Sequence, residues 1–156
     1  MTVRRAQKKD ADRINELLFQ VAELHSSLRP DIFRTNAKKY TDNELFAIIE
    51  NDATPVFVAT DLDGTVLGYA FCIYEQVVNN SLLCDMKSLY IDDLCVDKAH
   101  RGKHIGKALY LHVLEEAKRN GCYRITLNVW KLNEGAMKFY EKCGLSPLKT
   151  VMEKLL

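Results

Sequence analysis

Two adjacent carboxylates, Asp92 and Asp93, interrupt the otherwise apolar run Leu89-Tyr90-Ile91-Asp92-Asp93-Leu94-Cys95-Val96. Shortly after it the chain turns basic, in Arg101-Gly102-Lys103-His104-Ile105-Gly106-Lys107. The apolar run reads as a buried strand, and the residues following the basic turn read as an amphipathic helix. The first turn of a helix carries N–H groups without intrahelical partners, and its dipole favours negative charge. With Arg101, Lys103, His104 and Lys107 around it, such an end suits phosphate. A phosphate-bearing carrier seated there lies within reach of Asp92 and Asp93, which points to group transfer onto an amine. The spacing is neither a Walker A loop, since Gly-Lys-Ser/Thr is missing, nor the dinucleotide G-x-G-x-x-G. On the turn alone, a tight connection with solvated charges fits equally well.

Neighbouring strand residues point to opposite faces, so Asp92 and Asp93 cannot both face water from a central strand. Burying a carboxylate is costly unless it is paired or hydrogen-bonded. The pair therefore implies a polar cleft; a structural ion pair or a bulge near an edge is the alternative. A third segment, Asn133-Glu134-Gly135-Ala136-Met137-Lys138-Phe139-Tyr140-Glu141-Lys142-Cys143-Gly144-Leu145, reads as a capped helix. Tyr140 by itself reads as a core ring whose hydroxyl finds one partner.

The elements that must position these residues follow from periodicity. A first strand is expected at Thr2 to Arg5 and a helix from Asp10 to Leu28, with Ile14, Leu17, Leu18, Val21, Leu24 and Leu28 on one stripe. Asp10 is the expected N-cap, and Pro30 ends the segment. Thr41-Asp42-Asn43-Glu44 has capping-box spacing and opens a second helix. Val56 to Thr60 and Thr65 to Val78 read as strands joined by a hairpin turn at Asp61-Leu62-Asp63-Gly64. A further strand spans Leu83 to Val96. The helix after the basic turn carries Ile105, Ala108, Leu109, Val113 and Ala117 on one face and stops at Asn120-Gly121. Cys122 to Trp130 reads as a strand, Asn133 to Lys142 as a helix, and Val151 to Leu156 as a closing strand. The order predicts one α/β domain over residues 1–156: a mixed, mostly antiparallel central sheet with helices on both faces.

Composition narrows the function classes. The 156 residues are 47% hydrophobic and 28% charged, with a net charge of +1. These are the proportions of an ordinary soluble domain with a real core. No global field recruits nucleic acid or an anionic membrane, and no stretch approaches the ~20 apolar residues of a membrane helix. Cytoplasmic residence is expected, because Met-Thr-Val-Arg-Arg opens no secretion signal. The five cysteines are odd in number and lack C-x-x-C spacing, so they read as reduced small hydrophobes, with no metal site.

Together the three segments resemble the GNAT superfamily of N-acetyltransferases. The family's pyrophosphate turn, Arg/Gln-x-x-Gly-x-Gly/Ala, is matched by Arg101-Gly102-Lys103-His104-Ile105-Gly106, with His104 where Gly is usual. The signature Asn-x-x-Ala-x-x-Phe-Tyr-x-x-x-Gly-Phe/Leu is matched by Asn133, Ala136, Phe139, Tyr140, Gly144 and Leu145. The acidic strand is similar to the diamine acetyltransferase branch, among others.

The resemblance implies an acyl-CoA N-acyltransferase fold and direct transfer of an acetyl group from acetyl-CoA to a primary amine. That amine would be a polyamine, an amino sugar or a peptide amine. Asp92 would take the proton and Asp93 would orient the cationic acceptor or share the task. Tyr140 would protonate the leaving thiolate. Leu94, Cys95 and Val96 would run beside the carrier, Asn133 would bind its pantetheine arm, and Arg101 to Lys107 would hold its pyrophosphate. His25, Arg29, Asp31 and Tyr40 fall where the acceptor should enter. The alternative is a non-catalytic acyl-CoA-binding module on the same fold. Neither nucleic acid nor membrane is expected as a partner, and a homodimer is left open.

Overall fold

The computed structural model describes residues 1–156. Five strands and four helices alternate as β1 (Thr2–Arg5), α1 (Ala11–Leu28), α2 (Asp42–Glu50), β2 (Val56–Thr60), β3 (Val66–Val77), β4 (Met86–Val96), α3 (Ile105–Arg119), β5 (Arg124–Leu127) and α4 (Glu134–Lys142). The sheet order is β1-β2-β3-β4-β5. The first three pairings are antiparallel, and β5 joins β4 in parallel after the α3 crossover. Parallel neighbours need such a crossover, so the mixed sheet follows from placing α3 between β4 and β5. No helix is long and apolar enough to cross a membrane.

Strand alternation sends two apolar sets to opposite faces. Ile14, Leu17, Leu45 and Ile49 of α1 and α2 pack on Val56, Val58, Tyr69 and Phe71. Ile105, Leu109 and Val113 of α3 pack on Phe57, Ala59, Ala70, Cys72, Leu89 and Ile91. The two middle strands lie close: a Cβ on Gly68 would stand 2.6 Å from the Cys95 carbonyl oxygen, so a side chain there would force β3 and β4 apart.

Local signals acted largely as expected. Thr41 and Glu44 form the reciprocal capping box of α2. Asp61 closes the β2–β3 turn by accepting from the N–H groups of Asp63 and Thr65. Asp10 stands at the head of α1, but its carboxylate does not cap that helix. It accepts two hydrogen bonds from Arg4, at 2.7 and 2.9 Å, and one from the Gln7 N–H. A guanidinium fork offers a stronger charge-assisted partner than a single helix N–H.

Two expectations are corrected. Val151 to Leu156 forms no strand. Its apolar residues come in pairs around Glu153-Lys154, without the period of two that a half-buried strand needs. Glu153 is instead tied to Arg29 at the end of α1, at 2.6 Å. The strand expected over Cys122 to Trp130 is confined to Arg124–Leu127, because the chain leaves β4 at Asn128.

Candidate active site

The register between β3 and β4 slips in the middle. Phe71 pairs with Asp93 and Cys72 with Ile91, leaving Asp92 as an extra residue without a partner. This is a β-bulge, which re-aims the side chains on either side of it. Leu89 and Ile91 point to the α3 face, whereas Cys95 joins the α1 face. An unbroken strand would send Ile91, Asp93 and Cys95 the same way. The expectation that neighbouring carboxylates diverge is therefore overturned by the extra residue. Both reach one ammonium: Lys39 Nζ lies 3.0 Å from Asp92 Oδ2 and 3.6 Å from Asp93 Oδ2.

The two carboxylates differ in setting. The Asp93 side chain is 12% exposed and that of Asp92 29%. The Tyr69 hydroxyl donates to Asp93 Oδ2 at 3.0 Å. Burial pushes the Asp93 pKa above the ordinary carboxylate value, against the pull of Lys39 and the Tyr69 hydrogen bond. Burial works to lower the Lys39 pKa, but Asp93 and Asp92 outweigh it and hold the ammonium above its usual value. Burial, with Asp93 nearby, raises the Tyr69 phenol well above its ordinary range. His25 is also part of this field: burial lowers its pKa, opposed by Asp93.

Parallel pairing of β4 with β5 ends at Ile91–Leu127, one residue before the bulge. Beyond it Asp92 to Val96 continue β4 with no partner on that side, because β5 ends at Leu127. Tyr140, half-buried on α4, packs edge-on against Phe139 at 5.1 Å. Burial lifts its phenol well above the usual range, with the Asp93 charge the next largest contribution. The Asp93 charge thus reaches Tyr140, whose phenol is protonated at neutral pH with or without that shift.

At the far end of β4 the basic turn is built as its sequence suggests. Gly102 has φ +79° and His104 φ +60°, with His104 at the N-cap of α3. The left-handed region is easy for glycine but is also visited by histidine more than by most residues. No backbone carbonyl accepts from the N–H groups of Gly102, Lys103 or His104. Arg101, Lys103, His104 and Lys107 are exposed around them, while Ile105 is buried and anchors the helix start. These donors and charges fit an anionic diphosphate. Gly106 serves packing: a Cβ there would meet the Phe139 ring at 3.4 Å and Val96 at 3.5 Å. The turn and the Asn133–Leu145 segment are thus seated against each other.

Other expected positions take plainer roles. Asn133 caps α4, accepting from the Ala136 N–H at 3.2 Å. The Val96 carbonyl accepts from Gln20 at 3.2 Å and from Arg101 Nε at 3.4 Å. Burial pushes the Cys95 thiol up to about 12, so it stays protonated. Leu94 packs at the margin of the α3-side core. On the acceptor side, Tyr40 stacks on Phe71 at 6.0 Å, and His25, Phe33 and Trp130 form a chain of ring contacts at 5.0 and 5.3 Å. Arg29 and Asp31 are engaged with each other, and Arg29 also with Glu153. No three His, Cys, Asp or Glu side chains converge as a metal site would require.

Sequence reasoning missed Lys39 and Tyr69. Lys39 lies in the aperiodic stretch Lys38-Lys39-Tyr40, where nothing marks which lysine turns inward. Tyr69 read only as one more apolar strand residue.

Comparison with known proteins converges on one group. The acetyltransferase (GNAT) family profile matches residues 19–145. A glucosamine 6-phosphate N-acetyltransferase of Arabidopsis thaliana is 31% identical over 117 residues, which span 75% of this chain and 68% of that protein. A streptothricin acetyltransferase of Streptomyces lavendulae is 30% identical over 68% of this chain and 52% of its own length. Among solved structures, a Bacillus halodurans protein, crystallised as a tetramutant, superimposes with a TM-score of 0.96 at 30% identity, covering 100% of both chains.

Proposed function

The chain belongs to the acetyltransferase (GNAT) family of acetyl-CoA-dependent enzymes, and we propose that its acceptor is a primary amine bound as a cation at Asp92 and Asp93. The observation that carries this reading is the bulge at Asp92, which aims both carboxylates at one point where β4 and β5 part. Acetyl-CoA supplies an acetyl thioester, and its diphosphate suits the free N–H groups and basic side chains from Arg101 to Lys107.

A lysine-type amine has a pKa of ~10.4, so only about one molecule in 2,500 is uncharged at neutral pH. The site must therefore bind the ammonium and then remove a proton. Asp92, the more exposed carboxylate, holds the cation. Asp93 takes the proton, because its raised pKa makes it a better base than an ordinary aspartate. This reverses the division of labour expected from sequence, and burial is the reason. The freed amine attacks the thioester carbonyl, whose developing negative charge needs a donor already in place. Backbone N–H groups on the open side of β4 between Asp93 and Val96 are suited to that task. Tyr140 gives its proton to the departing thiolate.

An acid at Tyr140 and a base at Asp93 favour turnover over mere carrier binding. The relatives' names make an amino sugar one acceptor to try. A panel of glucosamine 6-phosphate, glucosamine, a polyamine and a lysyl peptide, assayed by release of the CoA thiol, tests the reading. Thiol release with at least one amine, lost in Asp93→Asn, is expected. Silence across the panel and with simple alkylamines would overturn it.

A further inference from the structure

The acceptor position already holds a primary amine of this chain. Lys39 Nζ stands between Asp92 and Asp93, the groups to which an external ammonium is assigned above. The segment carrying it is held in place from both sides. Asn36 takes a left-handed φ of +53°, and its N–H donates to Glu23 of α1 at 3.1 Å. Lys38 turns outward to Asp42 at 2.7 Å. Tyr40 lies on Phe71, and Lys39 Nζ sits 5.3 Å from the Tyr40 ring centroid. Its neighbours fixed in this way, Lys39 points inward with its side chain 37% exposed.

We propose that Lys39 is an acceptor of the enzyme's own reaction, acetylated in cis at the Asp92–Asp93 pair. The inference rests on the transferase reading above. In the step, a bond forms between Lys39 Nζ and the acetyl carbonyl carbon, and the thioester C–S bond breaks. The nitrogen sheds two protons. One passes through Asp93 to solvent; the other balances the proton that Tyr140 gives the thiolate. The product is a neutral amide, and both ion pairs of Lys39 are lost.

Chemical acetylation of lysines makes the opposite forecast. An ion-paired, partly buried ammonium with a raised pKa is a poor nucleophile, so Lys39 should then lag behind the exposed Lys149 and Lys154 of the tail. Trace labelling of the carrier-free protein with acetic anhydride should show this lag, and a Lys39 as reactive as the tail would overturn its placement. With acetyl-CoA and no other amine, intact-mass and peptide mapping should show the order inverted. Lys39 should gain one acetyl group about 10²-fold ahead of Lys149 and Lys154. The rate per molecule should not change on dilution, and Tyr140→Phe should slow Lys39 while leaving the tail lysines as they were. A rate that climbs with protein concentration means transfer between molecules and defeats the claim. If external amines turn over while Lys39 lags, the inference falls and the transferase reading stands. If no amine is acetylated, both fall.

Discussion

Replacing Asp93 by Asn should make the protein more stable and much slower at the same time. Asn keeps an oxygen that can accept from the Tyr69 hydroxyl, so the packing around it is preserved. What disappears is a buried charge and a proton acceptor. Loss of a positioned base lowers turnover by about 10²–10⁴-fold, which is roughly 3–5 kcal/mol of activation free energy. The stability effect has the opposite sign. Burial raises the folded-state pKa of Asp93 above its unfolded value, despite the pull of Lys39. A carboxyl raised on folding binds its proton more tightly in the native state, so stability falls as pH climbs from the unfolded pKa through the folded one. The penalty grows as pH rises, and the isosteric amide escapes it. The Asp93→Asn melting temperature should therefore exceed wild type at neutral pH. The gap should close as pH drops towards ~3.9, the ordinary aspartate value. Steady-state kinetics and thermal melts across pH measure both halves. Unchanged turnover would remove Asp93 from the chemistry. A melting temperature that falls at neutral pH would mean that the ion pair with Lys39 outweighs burial.

Tyr140→Phe should cut turnover by about 10²-fold while acetyl-CoA affinity, read by calorimetry, stays put, since the hydroxyl acts when charge builds on sulfur. The raised phenol pKa places the wild-type loss of rate above pH ~10, and the variant should lack that limb. Acetyl-CoA at about 100 times its Kd should stabilise the fold by roughly 2.7 kcal/mol, and pantetheine without phosphates far less; equal shifts would remove the phosphate role from Arg101 to Lys107. His104→Gly removes left-handed strain but adds unfolded-state freedom, two effects of about 1 kcal/mol each that nearly cancel. Its melting temperature should barely move, and acetyl-CoA affinity should stay within about twofold because the backbone N–H remains. A clear loss of affinity would make the imidazole itself a phosphate donor.

The parts of the fold that sequence made legible are those written in local chemistry. The capping box at Thr41 and Glu44, the Asp-Gly turn before β3 and the α1 stripe at Ile14, Leu17 and Leu18 each act over a few neighbouring residues, whereas Leu24, expected on that stripe, is exposed. Asp10 misled because its competitor is not local in kind: Arg4 lies on a strand and outbids the helix N–H groups for the same carboxylate. The tail misled because apolar content was taken for a strand where the pairing pattern of two apolar, two charged, two apolar residues gives no buried face.

The site was legible in its outline and not in its geometry, and the bulge explains the difference. Motif spacing brought the basic turn and the Asn133–Leu145 helix together, and the Gly106–Phe139 contact is the physical form of that pairing. Nothing in the run Leu89 to Val96 marks Asp92 as the extra residue, since a bulge is a property of two strands in register and not of one strand's composition. Yet the proposed chemistry depends on that one residue. It turns Asp93 from the α3-facing core, where a carboxylate would meet only Leu and Ile, towards Tyr69 and Lys39, where it can hold and lose a proton. It also sets where β4 escapes β5, because ordered pairing stops one position earlier at Ile91. The proposed base and the proposed cation site thus both depend on this bulge. Lys39 then follows by charge: two carboxylates brought to one point attract an ammonium, and Lys39, turned inward by its fixed neighbours, supplies it.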